Sequence, residues 1–353
     1  MWEIIGQDRA VALLQRSLEA GSVSHAYMFI GPPHSGKMTL AMNLARALNC
    51  ESVDRPCGQC EPCRRVTEHK HADVQVVGIA GDDPATESKS KTEISIDQIR
   101  QIQHTASLPP FEGKYRVYII ENAELLSVEA ENALLKTLEE PESKIVFILL
   151  ANDSSLLLET VVSRCQPVEF ILVPSEIIKE SLTNRWGIDP EKATLLARLS
   201  RGRFGWAVSA AQDDRLVEQR SEIVENMLDV IDADIDTRFA LSSQLAGKFG
   251  SDRNFVFERL DILLDLWRDM LLIKTNSIDN ITNIDRIHEL TGMAEERNLS
   301  GIRDFIRSIQ KANVELRQNA NPRLVLEVLM LDMPDTGQGK EMALQTRGRL
   351  WPK

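Results

Sequence analysis

Apolar residues recur at helical spacing near the start of the chain. Ala10, Leu13, Leu14 and Leu18 share one face of a segment from Arg9 to Glu19. The pattern then changes to short continuous apolar runs, which read as buried strands: Ala26–Ile30, Val74–Ile79, Tyr115–Ile120 and Ile145–Leu150. Helical patterns separate these runs, over 37–48 and 96–107, and Leu134, Leu135 and Leu138 give a further buried stripe whose helix Pro141 would stop. Strands alternating with helices imply a parallel α/β sheet with crossover connections. The stretch 80–91 is polar and without period, and reads as a mobile surface loop. After Pro174 the strand patterns end. Asp189-Pro190 opens a helix that Gly202 would stop, and long helices are expected over 214–231, 254–274 and 300–318. Asn321-Pro322 caps a last helix ending near Met333, and the tail beyond it has no amphipathic period. The expected order is an α/β domain, a small helical domain and a larger helical domain.

Composition narrows this only slightly. The chain has 353 residues, 43% of them apolar and 27% charged, the ordinary mix of a globular protein. It has no apolar run of membrane-spanning length, and its first residues lack a signal-peptide pattern, so a cytoplasmic protein with no membrane partner is expected. A net charge of −12 argues against high intrinsic affinity for nucleic acid, which draws on clustered Lys and Arg.

Two motifs carry chemistry. Gly31-Pro32-Pro33-His34-Ser35-Gly36-Lys37-Met38 follows a strand and opens a helix, the setting of a phosphate loop. Its glycines let backbone N–H groups curl around phosphate, and Lys37 would meet the terminal oxygens. The pattern asks for Ser or Thr at position 38 to hold Mg²⁺, and Met38 stands there. Thr39 is rotated from it by about 100°. At the end of the strand Tyr115–Ile120, where Asp and then Glu would hold metal and activate water, the chain has Glu121 and Asn122. ATP or ADP binding without turnover and a loop that binds nothing both stay open. The second motif is Cys50, Cys57, Cys60 and Cys63, spaced C-x₆-C-x₂-C-x₂-C. Four thiolates can close a tetrahedron around Zn²⁺ with no open position, a structural site. Free thiols or redox chemistry is the plainer alternative.

Taken together these segments resemble the clamp-loader branch of the AAA+ family, whose members serve bacterial DNA polymerases. The resemblance rests on IIGQDRAVALLQRSLEAGSVSHAYMFIGPPHSGK near the start, NALLKTLEEP at 132–141 and ILLANDSSLLLETVVSRCQPVEF at 148–170. NANPRLVLEVLMLDM at 319–333 completes it near the end. It implies an AAA+ α/β domain over 1–172 with the zinc module at 50–63, a helical lid over 173–212 and a helical collar for oligomerisation over 213–335. Residues 336–353 would form a disordered tail.

Within that family the gamma/tau-type subunits carry intact phosphate-loop and Asp-Glu motifs, and delta-prime-type subunits often do not. Here Asn152 falls at the sensor-1 position, and Gly205 falls where a sensor-2 arginine belongs, with Arg203 nearby. The resemblance therefore implies a component of the DNA polymerase III holoenzyme that hydrolyses no ATP itself, a stator beside gamma/tau ATPase and delta subunits in a hetero-pentamer. That assembly would load the sliding clamp onto primer-template DNA. Arg164, in the family's SRC motif (Ser163-Arg164-Cys165), would act in trans as an arginine finger for a neighbouring subunit; the plainer reading is a salt-bridging surface arginine. A similar cysteine knuckle in the family has a slightly longer first spacing, which makes Cys50 the least secure ligand and leaves His69 and His71 as substitutes. Lys136 and Glu139 are possible intersubunit contacts, and Arg100 a possible DNA contact. An active gamma/tau-type ATPase and an independent AAA+ switch remain the competing readings.

Overall fold

A computed structural model describes residues 2–79, 93–140 and 144–334. The polar stretch 80–91, Pro141 and the tail 336–353, to which the sequence assigned a loop, a helix stop and disorder, lie outside the described residues. The chain divides into two compact units, one of residues 1–180 with 202–207, the other of 181–201 with 208–353. Among the described residues no helix is long and apolar enough to cross a membrane.

The first unit alternates helices and strands as expected: α1 (Asp8–Glu19), β1 (Ala26–Ile30), α2 (Lys37–Asn49), α3 (Glu61–Thr67), β2 (Val74–Val77), α4 (Ile96–Ala106), β3 (Arg116–Ile120), α5 (Val128–Glu139), β4 (Ile145–Ala151), α6 (Glu159–Val162) and β5 (Gln166–Glu169). All five strands are parallel, in the order β2-β3-β4-β1-β5. This is the parallel α/β sheet with crossover connections that the sequence implies. β1 and β4 are interior strands, which is why their sequences run apolar without alternation. On one face of the sheet Leu14, Leu44 and Leu48 pack against Tyr27 and Phe29. On the other, Ile99, Ile102, Leu134 and Leu138 pack against Met28, Tyr118 and Phe147.

β5 had no strand signal in the sequence. It is short, alternates, and contains Pro167, which lacks the N–H a central strand would need. Its place at the sheet edge accommodates the proline.

A buried carboxylate braces the segment before β3. Asp73, 1% exposed, accepts backbone N–H groups from Phe111 (2.7 Å), Glu112 (2.8 Å) and Gly113 (2.8 Å), and the guanidinium of Arg116 at 3.0 Å. Burial pushes this carboxyl up, but the three N–H groups and Arg116 outweigh it and hold the pKa at about 2. Because the folded pKa lies below the unfolded value of about 3.9, the stabilisation is complete above about pH 4 and is lost as pH falls toward 2. Asp73→Asn is expected to cost about 2–3 kcal/mol at neutral pH, the scale of hydrogen bonds to a charged group. It should also flatten the acid limb of stability between pH 4 and 2. Urea unfolding of both proteins across that range checks it.

Two helices run across the division between the units: α7 (Ser175–Trp186) and α9 (Phe204–Gln212), with α8 (Pro190–Leu199) between them. Asp189 caps α8 as expected, accepting from Glu191 N–H at 3.0 Å. Among the described residues the rest of the second unit is helical: α10 (Arg215–Asp232), α11 (Ile235–Phe249), α12 (Arg253–Lys274), α13 (Ile287–Glu295), α14 (Leu299–Arg317) and α15 (Pro322–Asp332). Its core is built around Trp267 and Phe305, whose ring centroids lie 4.5 Å apart. α11 and α13 were not expected. Ser242, Ser243 and Gly247 in the one, and Thr291-Gly292 in the other, lower helix propensity, so packing rather than local preference holds them.

Candidate functional site

Three groups of residues converge at the carboxyl ends of the parallel strands, where α/β sheets bind ligands. The loop after β1 is registered against β4 by Gly31 N–H, which donates to Ala151 O at 3.2 Å. It turns into α2 at Gly36, whose φ of 97° is open to glycine at little cost. Lys37 then points back into its own loop. Its Nζ donates to Gly31 O (2.5 Å), Pro32 O (2.9 Å) and Asn152 Oδ1 (2.9 Å), which matches the three donors an ammonium has. Burial draws its pKa down to about 8, and Glu124 opposes that shift.

Asn152, just past β4, is held in turn by Glu124. The Glu124 Oε1 accepts from Asn152 N–H at 3.2 Å and from Asn152 Nδ2 at 2.7 Å. The structure therefore gathers Gly31, Gly36, Lys37 and Asn152, and adds Glu124. It leaves out two sequence candidates: Thr39 and Glu121 are exposed, and among the described residues neither side chain forms a hydrogen bond. Met38 packs against the core beneath the loop. At the sensor-2 position Gly205 N–H donates to His34 O at 2.8 Å, and a Cβ on Gly205 would lie only 2.8 Å from that oxygen. An arginine there has no room while the loop keeps this shape.

A further residue, Gln7, fastens the loop from below. It is 2% exposed; its amide donates to Ser35 O (3.4 Å) and Ile171 O (2.7 Å) and accepts from Ile171 N–H (3.1 Å). Neither Gln7 nor Glu124 was singled out from the sequence. Each lies in a motif-bearing segment, but only the fold brings a residue 28 positions away from its partner into contact.

Arg164 lies elsewhere. It precedes β5, whose first residue pairs with Tyr27, whereas the phosphate loop follows the far end of β1 at the level of Glu169. The strand alone puts about 10 Å between these levels. Its Nη2 donates to Glu139 Oε1 at 2.6 Å and its Nη1 to Thr160 O at 2.8 Å; the side chain is 34% exposed. Cys165 is buried among apolar residues, which pushes its thiol up to about 12. It is a packed residue of the apolar core.

The four cysteines come together as a set, their sulfurs all within 4.8 Å of one another. Cys50 closes α2, Cys60 precedes α3, and Cys63 lies in its first turn. The Cys50 and Cys60 sulfurs are 3.9 Å apart, close to the ~3.8 Å edge of a tetrahedron with Zn–S bonds of about 2.3 Å. Backbone N–H groups of Cys60 (3.3 Å) and Gln59 (3.5 Å) point at Cys57 Sγ and draw its thiol down to about 6. The group can hold a metal ion and includes Cys50. Neither histidine belongs to it: His69 is exposed, and buried His71 turns its Nδ1 to Asp73 N–H at 3.1 Å.

Two family models match the chain, that of the DNA polymerase III delta subunit over residues 6–173 and that of the carboxyl-terminal part of the DNA polymerase III delta subunit over residues 218–334. The DNA polymerase III subunit delta′ of Bacillus subtilis is 28% identical over 326 residues, covering 92% of this chain and 95% of its own length. The DNA polymerase III subunit tau of the same organism is 29% identical over 363 residues; the match takes in 95% of this chain but 61% of that protein. Among solved structures, the RuvB Holliday junction branch migration motor of Thermotoga maritima matches with 17% identity and a TM-score of 0.40, over 82% of this chain and 87% of that one.

Proposed function

Since this chain belongs to the clamp-loader family of DNA polymerase III subunits, we propose that it is a delta-prime-type stator that turns over no ATP of its own and lends Arg164 to a neighbouring ATPase subunit. The observation that carries this reading is the closed phosphate loop. All three Lys37 donors are taken by the chain's own acceptors, a half-buried Met38 packs against the core where a metal-binding hydroxyl would stand, and Gly205 fills the sensor-2 position against the loop. Phosphoryl transfer depends on metal and water placement, and the groups that would supply them are missing. These features weigh against a gamma/tau-type ATPase, the runner-up.

Arg164 has no part in that loop. Its place at the opposite ends of the strands supports use in trans. The partners in this reading are gamma/tau-type and delta subunits in a hetero-pentamer, with the sliding clamp and primer-template DNA engaged through the assembly, as an acidic chain requires. The second unit supports docking among subunits. α15 exposes Leu324, Val328 and Leu331 at i, i+4 and i+7, a stripe of the kind that marks protein contacts. Cys50, Cys57, Cys60 and Cys63 hold Zn²⁺ as a structural ion. The purified chain alone is expected to release no phosphate from ATP above background, with or without primed DNA; sustained turnover that survives further purification would move it to the ATPase class.

A further inference from the structure

We propose that Glu139 is a positioning residue for Arg164, holding the guanidinium in the orientation from which a neighbouring subunit's nucleotide receives it. This rests on the reading of Arg164 as a finger, and deepens it. Two anchors hold the side chain: Thr160 O, one turn back, takes Nη1, and Glu139 Oε1 takes Nη2. A guanidinium has five N–H donors, so three remain for an incoming acceptor.

The anchors belong to elements that the core fixes as one body. Glu139 ends α5, and Leu134 and Leu138 of α5 share one apolar cluster with Val161 of α6 and with Cys165, the residue after Arg164. A second carboxylate on α5 makes the same connection. Glu131, 5% exposed, accepts Leu158 N–H at 2.8 Å, where α6 begins. Among the described residues this is its side chain's one hydrogen bond, so the tie to α6 fixes its place; burial pushes its carboxyl up. Glu131 sets where α6 starts, and Glu139 sets where the arginine after α6 points. The sequence alone makes Glu139 a possible contact with another subunit; its partner is in its own chain.

The Glu139–Arg164 pair is half exposed, at 51% and 34% of the two side chains, so it adds little to folding. Its effect lies in orientation, where a small misplacement of a reacting or stabilising group lowers rate steeply. The test reconstitutes the gamma-type ATPase, delta, clamp and primed DNA with wild-type chain, Glu139→Ala, Glu139→Gln or Arg164→Ala. Assembly is checked by size exclusion, and kcat and KM for ATP are measured separately. Glu139→Ala is expected to lower kcat on the order of tenfold with KM and assembly unchanged, because ATP is held by the neighbour. Glu139→Gln should recover most of the rate, since the amide oxygen still accepts from Nη2. Arg164→Ala should lose far more than either.

Wild-type or raised kcat with Glu139→Ala, beside a strong loss with Arg164→Ala, would overturn the positioning role and leave the finger standing. A Gln variant as slow as Ala, or a loss that follows assembly, would overturn it too. No effect of Arg164→Ala would bring down the finger reading itself.

Discussion

Replacing Arg164 by alanine is expected to slow ATP turnover of the reconstituted assembly by about 10³-fold or more, the scale set by arginine fingers that act in trans. The isolated chain should melt as the wild type does. The contrast follows from where the residue sits. Arg164 is one-third exposed and its two hydrogen bonds are surface contacts, so its removal costs folding little. Charge delivered to a γ-phosphate in a water-excluded interface is worth far more than the same charge at a free surface. Arg164→Lys separates charge from geometry. Lysine keeps the charge but presents one point donor instead of a planar fork, so recovery should be small. The measurement is steady-state phosphate release with clamp and primed DNA present. Turnover at the wild-type rate would remove the mechanism and leave the family membership untouched.

The second large effect is expected at the cysteine cluster. Wild-type chain should carry one tightly held zinc, measurable by elemental analysis, and Cys60→Ser should release most of it on dialysis. Structural zinc sites bind with roughly 10–16 kcal/mol, so losing one of four thiolates should cost on the order of 3 kcal/mol, about a hundredfold in affinity. The consequence for folding should be local. The segment between Cys50 and Cys63 has few buried apolar residues of its own; Val53 is 94% exposed, and its buried apolar positions are chiefly the terminal cysteines, Cys50 and Cys63. Without the ion, faster amide exchange is expected over α3 and the preceding loop, while the sheet, whose core lies elsewhere, keeps its protection. His71→Ala should leave the zinc in place, because that ring faces Asp73. Zinc retained by Cys60→Ser, or lost from His71→Ala, would refute this ligand set.

The sequence by itself determined those features whose cause is local. Interior parallel strands must be apolar on both faces, so β1, β3 and β4 could be read to within a residue or two from uninterrupted runs such as AYMFI. Gly36 and Lys37 stand where a strand gives way to a helix, and cysteines at that spacing can meet around one ion; both constraints act over a few residues. The absence of a hydroxyl at 38 was equally plain, because the backbone fixes which way that side chain faces.

Only the tertiary structure decided what fills polar valences across long separations. Lys37 could be read as a phosphate ligand, but not as a side chain already satisfied by Asn152, 115 residues on. Glu124, Gln7 and Asp73 look like ordinary polar residues, and their value lies in partners 28 to 164 positions away. β5 escaped notice because Pro167 speaks against a strand in general and only the sheet edge excuses it. Arg164 and Glu139 show the same limit. The family resemblance suggested outward contacts for both; the sequence also allowed Arg164 a salt bridge, but only the packing of α5 on α6 identifies Glu139 as its partner. The physical reason is common to all of these. Periodicity and spacing record which face of an element is buried, whereas a hydrogen bond between distant residues depends on how separate elements are placed, and no local pattern carries that information.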